Sequence, residues 1–277
     1  MRSFVPDIEL RAPSRLEETL ELLDNGWQPM AGGTDMMVEL EAGKLEVRRI
    51  AGLWNVNELR GIRREGGWLS VGATVTYTEL RESAEIGEHY ALLAQAAACT
   101  GGIATQNRGT LGGNIGNASP AADSLPVLLV YDAELEIASR RAVRRIPYAK
   151  FHTGYKRKNL APGELITRIL LPARQTGWQE CFRKVGTRAA QAISKVAMAA
   201  AARVANGRID DIRIAYASVA PVPLRCHQTE LALRGARLAE LPELPDETTP
   251  IDDIRSTARY RRQVARNLLV RFLAGLK

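Results

Sequence analysis

The run Thr110-Leu111-Gly112-Gly113-Asn114-Ile115-Gly116-Asn117-Ala118-Ser119-Pro120-Ala121-Ala122-Asp123 packs three glycines, two asparagines, two hydroxyl side chains and a proline into fourteen residues. Glycine lets the backbone take positive φ and lets another group approach its amides. Asparagine tolerates left-handed conformations and bonds nearby backbone. Such a stretch reads as a loop whose N–H groups converge on one concavity, which suits an anion such as a pyrophosphate. A shorter run, Ala31-Gly32-Gly33-Thr34-Asp35, has the same character. Two such runs in one chain point to one large phosphorylated ligand gripped from both sides.

The chain has 277 residues, enough for two domains or one large one, and 45% of them are hydrophobic, enough for a sizeable core. Aromatics are scarce, which argues against a base-stacking nucleic-acid surface. The net charge of +7 fits a solvated arginine-rich surface or a patch facing an anionic partner. Cys99, Cys181 and Cys226 are far apart and form no C-x-x-C pair, so they build neither a zinc ribbon nor an iron–sulfur cluster by themselves. They read as reduced thiols of a cytoplasmic protein. His89, His152 and His227 are isolated, with no metal or triad spacing. No catalytic residue and no metal ligand is singled out. The first seven residues lack an apolar leader and no long apolar run follows, so neither a signal peptide nor a membrane span is expected.

Ser14 and Glu17 have the spacing of a capping box for a helix over 14–25, closed by Gly26. Gln28 to Ala31 is expected to be a strand that leads into Gly32-Gly33. No G-K-[ST] and no G-x-G-x-x-G follows, which excludes a P-loop and leaves a dinucleotide-binding parallel sheet without support. Strands are expected over 59–64 and 68–72 around Glu65-Gly66-Gly67, and helices over 77–81 and 90–99. Asp123 or Ser124 is placed to cap a buried helix with Pro126 in its first turn. Further strands are expected over 133–137, 142–146 and 165–171. The texture changes near Gln175 to Gly177. Residues 196–204 and 209–219 flank Asn206-Gly207, a strong hairpin signal, although the alanine-rich first arm reads as strand or helix. The stretch 238–250, with three prolines, is expected to be a loop. Tyr260, Val264, Leu268 and Phe272 repeat at i+4 spacing and predict an amphipathic terminal helix with arginine on its other faces.

These motifs, in this order, resemble the FAD-binding medium subunits of the molybdenum hydroxylases, the xanthine dehydrogenase family, and most of all the separate subunits of the bacterial xanthine dehydrogenases. The resemblance is carried by Ala31 to Asp35, by Thr110 to Asn114 with Ser119-Pro120 and Asp123, by Phe151-His152-Thr153-Gly154 followed by Gly163 to Ile166, by Lys184 to Arg188, and by Tyr260-Arg261. It spans nearly the whole chain.

The resemblance implies an α+β chain: a two-subdomain FAD-binding domain of the PCMH (vanillyl-alcohol-oxidase-like) type over residues 1–176, with subdomains about 1–57 and 58–176, and a smaller C-terminal domain over 177–277 with an antiparallel sheet and helices. It implies FAD contacts at Pro29, Met30, Ala31, Gly32, Gly33, Thr34, Asp35 and Met36, whose backbone holds the dinucleotide's phosphates. Thr110, Leu111, Gly112, Gly113 and Asn114 complete that grip. Asp123 would meet the flavin half, on the ribityl or ribose hydroxyls; Ile166 is an apolar contact and Lys184 a basic one. Two positions depart from some relatives: Thr100 stands where an aromatic stacks on the flavin, and Gln191 stands where an acid is usual.

The function implied is electron transfer within a larger oxidoreductase. Electrons arrive from a [2Fe–2S] cluster on a small partner subunit, pass through FAD, and leave to NAD+ or another acceptor. A large partner subunit carries the molybdopterin and the substrate site, with a purine such as xanthine as substrate. Two other readings are open: a stand-alone FAD-dependent oxidoreductase, and a non-enzymatic binder of anions or nucleic acid using the positive charge.

Overall fold

Short helical crossovers make the first three strands parallel, because a strand that returns through a helix re-enters the sheet in the same direction. The computed structural model describes residues 6–174 and 176–277; residues 1–5, part of the stretch read above as lacking a leader, and Gln175, at the change of texture, lie outside the described residues. The order β1 (Glu9–Arg11), α1 (Leu16–Asp24), β2 (Gln28–Met30), α2 (Met36–Glu41), β3 (Arg49–Gly52) builds a sheet β1-β3-β2. Leu20, Leu23 and Trp27 bury against Ala51, Leu53 and Val56. Gly26, at φ +79°, closes α1 as expected. The expected Ser14–Glu17 capping box does not form. Arg15 is the N-cap residue, the Ser14 amide donates to the Glu18 carboxylate, and the Leu16 amide donates to Glu58, forty-two residues on.

The second body is an antiparallel sheet with helices inserted between its strands. It runs β4 (Ile62–Glu65), β5 (Trp68–Gly72), α3 (Tyr77–Glu82), α4 (Ala84–His89), α5 (Ala91–Cys99), α6 (Ile103–Gln106), α7 (Leu111–Asn117), α8 (Leu125–Val130), β6 (Glu134–Ala138), β7 (Val143–Pro147), the small hairpin β8 (His152–Gly154) and β9 (Arg157–Lys158), and β10 (Leu165–Pro172). Its strand order is β4-β5-β10-β6-β7. Leu69, Val71, Leu135, Ile137, Ile169 and Leu171 share one core with Tyr90, Leu93 and Leu128.

The glycine-rich run is a loop only beyond Asn117. It forms α7, with Thr110 as N-cap and Ala118 left-handed at its end. None of Gly112, Gly113 and Gly116 has positive φ. What Gly112 supplies is closeness: a Cβ there would stand 2.6 Å from the carbonyl oxygen of Ala73. Ser124 and Asp123 also depart from expectation. Ser124 precedes α8 but makes no side-chain cap; its hydroxyl donates to Asn114 Oδ1 at 2.7 Å, while Asp123 turns to Lys184.

The third body comprises β11 (Gln179–Val185), β12 (Val196–Ala205), β13 (Arg208–Ala217), β14 (Leu224–Arg225), α9 (His227–Leu233) and α10 (Ala258–Ala274), with the four strands antiparallel in chain order. Asn206 and Gly207, at φ +52° and +70°, make the expected hairpin turn. The alanine-rich arm is strand. Ala197, Ala199 and Ala201 face the core of the second body, while Met198, Ala200 and Ala202 face α10. On α10 the buried face is Arg261, Ala265, Leu269, Phe272 and Leu273; of the expected stripe, Phe272 is buried and Val264 and Leu268 pack partly buried against the same core. Tyr260 is 42% exposed, and Arg261 is buried rather than solvated. No helix among the described residues is long and apolar enough to cross a membrane.

Candidate functional site

A cavity of about 880 Å³ opens where the three bodies meet. That is room for a ligand of cofactor size. Pro29, Met30, Ala31, Gly32, Gly33, Thr34, Asp35, Met36, Thr110, Gly112, Gly113, Asn114, Asp123 and Ile166 all line it. Leu111 and Lys184 do not: Leu111 is buried in the core, and Lys184 stands behind Asp123. The two glycine runs touch. A Cβ on Gly113 would lie 3.8 Å from the Ala31 Cβ, and one on Gly32 would lie 1.8 Å from the carbonyl oxygen of Arg108.

Hydrogen-bond accounting separates the two runs. Among the described residues, the amides of Gly32, Gly33, Thr34 and Asp35 donate to no protein group. They are free donors on a cavity wall, the arrangement that receives an anion. In the second run the amides of residues 111–114 are engaged: Leu111 on Val75 O, Gly112 on Ala73 O, Gly113 on the Thr110 hydroxyl, Asn114 on Thr110 O. Of the positions 32–35 and 111–114, the free amides are those of the first run. The second run instead offers a glycine surface and the Asn114 side chain, whose Oδ1 accepts from Ser124 and leaves its NH2 as donor.

The carbonyl end of α7 is held by one hairpin. Three successive carbonyls, of Ile115, Gly116 and Asn117, accept from His152 Nε2 at 3.1 Å, Lys158 Nζ at 2.8 Å and Lys156 Nζ at 3.0 Å. Cations at a helix C-terminus oppose its negative end. Burial lowers the His152 pKa, so the neutral ring donates from Nε2 and its Nδ1 accepts from Tyr148. Lys158 also lines the cavity, where burial, and Lys156 beside it, lower its pKa. Asp35 completes the corner: burial raises its carboxyl against the pull of Lys156 and a hydrogen bond from Asn117. Sequence reasoning missed both lysines. The available signal was two lysines at alternate positions directly after Thr153-Gly154.

At the other end, Asp123 is nearly fully buried. One carboxylate oxygen accepts from Lys184 Nζ at 2.6 Å and the other from the Ser194 hydroxyl; Lys184 also donates to Cys99 O at 2.8 Å. Burial raises the Asp123 pKa against these partners. Lys184 and Ser194 belong to the third body, so this network pins that body to the cavity. Beside it, Gln191 is left-handed at φ +51° and lies so close to Gly102 that a Cβ there would stand 2.5 Å from its side-chain nitrogen. Thr100 and Gln191, the two departures noted above, are both on the wall. Among the described residues no histidine or cysteine lines the cavity.

Residues 6–174 match the family model described as the FAD binding domain in molybdopterin dehydrogenase, and residues 181–276 match the CO dehydrogenase flavoprotein C-terminal domain. The chain is 35% identical over 227 residues to the xanthine dehydrogenase FAD-binding subunit of Escherichia coli O157:H7, covering 80% of this chain and 78% of that one. It is 27% identical to the glyceraldehyde dehydrogenase medium chain of Sulfolobus acidocaldarius, over 97% of this chain and 98% of that one. The fold superposes on carbon monoxide dehydrogenase from Hydrogenophaga pseudoflava with a TM-score of 0.90 and 25% identity, covering 97% and 96% of the two chains. A chain matched along both domains, with free amides on a cofactor-sized cavity, belongs to the FAD-binding medium subunits of the molybdenum hydroxylase family.

Proposed function

We propose that this chain is the electron-transfer subunit of a xanthine dehydrogenase-type molybdenum hydroxylase. The carrying observation is the 35% identity to a xanthine dehydrogenase FAD-binding subunit, taken with a cavity whose donors suit a dinucleotide. Its partners are a large subunit with molybdopterin and a small subunit with [2Fe–2S], and the electrons leave to NAD+ or another acceptor. Bound FAD supplies the exchange between one-electron and two-electron carriers.

The chain's residues bind and orient. The free amides of Gly32 to Asp35, the Asn114 side chain and Lys158 would take the diphosphate. Asp123 is a poor neighbour for phosphate, so it belongs to the hydroxyl-bearing ribityl side, held rigid by Lys184 and Ser194. Thr100 to Gly102 and Gln191 to Ile193 would enclose the flavin end. With no histidine or cysteine on the described wall, the binding is non-covalent at these residue types.

The test is purification of the tagged chain from its native cell. The expected result is a flavin spectrum, two co-purifying subunits carrying molybdopterin and [2Fe–2S], and xanthine-dependent reduction of NAD+ or of an artificial electron acceptor. Full turnover of a small substrate by the isolated chain, or a colourless chain after incubation with FAD, would defeat the proposal.

A further inference from the structure

The Tyr77 hydroxyl is buried and makes no hydrogen bond within the protein. Nearly every buried polar group in a folded protein has a partner, and an unpaired one carries the full cost of its lost hydration. A phenylalanine would fill the same space without that cost. Yet Tyr77, only 2% exposed, lines the cofactor cavity. Its neighbours do not use the hydroxyl. Ser124 lies close enough to ease its ionisation but outside hydrogen-bond geometry, and donates its own proton to Asn114 Oδ1. The two carboxylates nearby are taken: Asp123 accepts from Lys184 and Ser194, and Asp35 accepts from Asn117. Burial, with Asp123 and Asp35 adding to it, pushes the Tyr77 pKa up, so the phenol keeps its proton and is a donor.

The ring that carries this donor is held in place. Tyr77 opens α3, whose start is fixed by a capping box: the Thr76 hydroxyl accepts from the Glu79 amide, and the Thr76 amide donates to the Glu79 carboxylate. The Tyr77 amide donates to Gly109 O at 3.1 Å, and a Cβ on Gly109 would stand 3.1 Å from the ring carbon Cε2. Gly109 in turn lies against the first glycine run, where a Cβ on Gly32 would stand 3.0 Å from the Gly109 Cα. Tyr77 thus packs beneath the contact between the two runs. Its hydroxyl feels Asp35, at the end of the first run, and Asp123, at the end of the second.

We propose that Tyr77 is a further binding residue for FAD, its hydroxyl donating to the diphosphate where the two glycine runs meet. It adds a neutral side-chain donor to the free amides of residues 32–35, the Asn114 side chain and Lys158. A donor fixed before the ligand arrives loses little freedom on binding. A hydrogen bond to a charged oxygen is stronger than one between neutral groups. The hydroxyl is therefore a cost to the empty chain and a gain to the loaded one. The proposal rests on the placement of the diphosphate at the free amides of the first run.

The test compares the full chain as wild type and as Tyr77→Phe, each stripped of FAD and then titrated with it in a calorimeter. Tyr90→Phe is the control, because the Tyr90 hydroxyl is buried on Pro172 O at 2.9 Å and does not line the cavity. Tyr77→Phe is expected to bind FAD roughly tenfold or more weakly, while its empty form melts at the wild-type temperature or above. Tyr90→Phe is expected to do the opposite: a lower melting temperature with unchanged affinity for FAD. With both chains saturated, the phosphorus NMR signals of the diphosphate should move in Tyr77→Phe and the flavin absorption bands should stay. Unchanged FAD affinity in Tyr77→Phe would overturn the proposal. So would a lower melting temperature of its empty form, which would give the hydroxyl a partner in the free chain. Shifted flavin bands with unmoved phosphorus signals would put the contact on the flavin half and overturn it too. A wild-type chain that binds no FAD removes the cofactor reading itself, a result distinct from wild-type affinity in Tyr77→Phe.

Discussion

Gly32 shows how little room the cavity wall leaves. A methyl group there would lie inside the carbonyl of Arg108, and that carbonyl belongs to backbone that cannot swing aside. Gly32→Ala must therefore part the two glycine runs, at a cost of roughly 1–3 kcal/mol for overpacking. It also turns the free amides beside it. The expected outcome is a folded chain that retains little FAD, read from the ratio of flavin to protein after gel filtration. Full flavin content would remove these amides from the site. Lys184 makes the opposite case, in which a deletion rather than an addition does harm. Lys184→Met leaves the Asp123 carboxylate buried with only Ser194 as side-chain partner. Breaking a buried pair from one side costs about 3–5 kcal/mol. Lys184→Met combined with Asp123→Asn should recover part of that loss, because the stranded charge is gone. Urea unfolding of the two variants checks it; a double variant no more stable than the single one would show that packing, not charge, carries the effect.

The elements differ in how openly the sequence announces them, and the reason is local against distant control. The turns at Asn206-Gly207 and Glu65-Gly66-Gly67 are readable because their backbone needs positive φ, which the residues themselves supply. The strand β12 is not readable from alanine content. Alanine favours helix in isolation, but here small side chains let the sheet lie between two cores. For α10, the i+4 stripe gave the helix and, at Val264, Leu268 and Phe272, its packed side, but it left Arg261 outside, where the structure buries it on two carbonyls and a carboxylate. The site was legible as two glycine runs and Asp123. Lys156, Lys158 and His152 were not, since their partners lie thirty-seven to forty-two residues away and only the hairpin brings them together. Up to Asn117 the run itself was misread as a loop because glycine is a poor helix former. Its helix survives through the Thr110 cap and the hairpin clasp at its other end. Thr110→Ala should then cost about 1 kcal/mol, with Thr110→Ser close to wild type; equal stability of all three by thermal melting would mean that the cap contributes nothing to α7.

At the scale of the molecule, the cavity is bounded by all three sheet-bearing bodies: the first gives the free amides, the second gives α7 and Thr100 to Gly102, and the third gives Gln191 to Ile193. A ligand seated there touches segments that are far apart in the chain. Binding to the folded state alone stabilises that state by mass action. At free FAD about a hundred times its Kd the gain is about 2.7 kcal/mol, or roughly 5–10 °C in melting temperature for a chain of this length. Removal of FAD should lower the melting temperature by that amount, and added FAD should restore it. Where protection appears is the more discriminating result. Amide hydrogen exchange should slow on FAD binding in residues 31–36, where the free donors become engaged, and also in residues 186–194, which reach the cavity from the third body. The engaged amides of residues 111–114 should change little, because they already have partners in the protein. Protection confined to residues 31–36 would mean that the third body does not help enclose the cofactor. Strong new protection at residues 111–114 would mean that α7 gives up its own hydrogen bonds to the ligand.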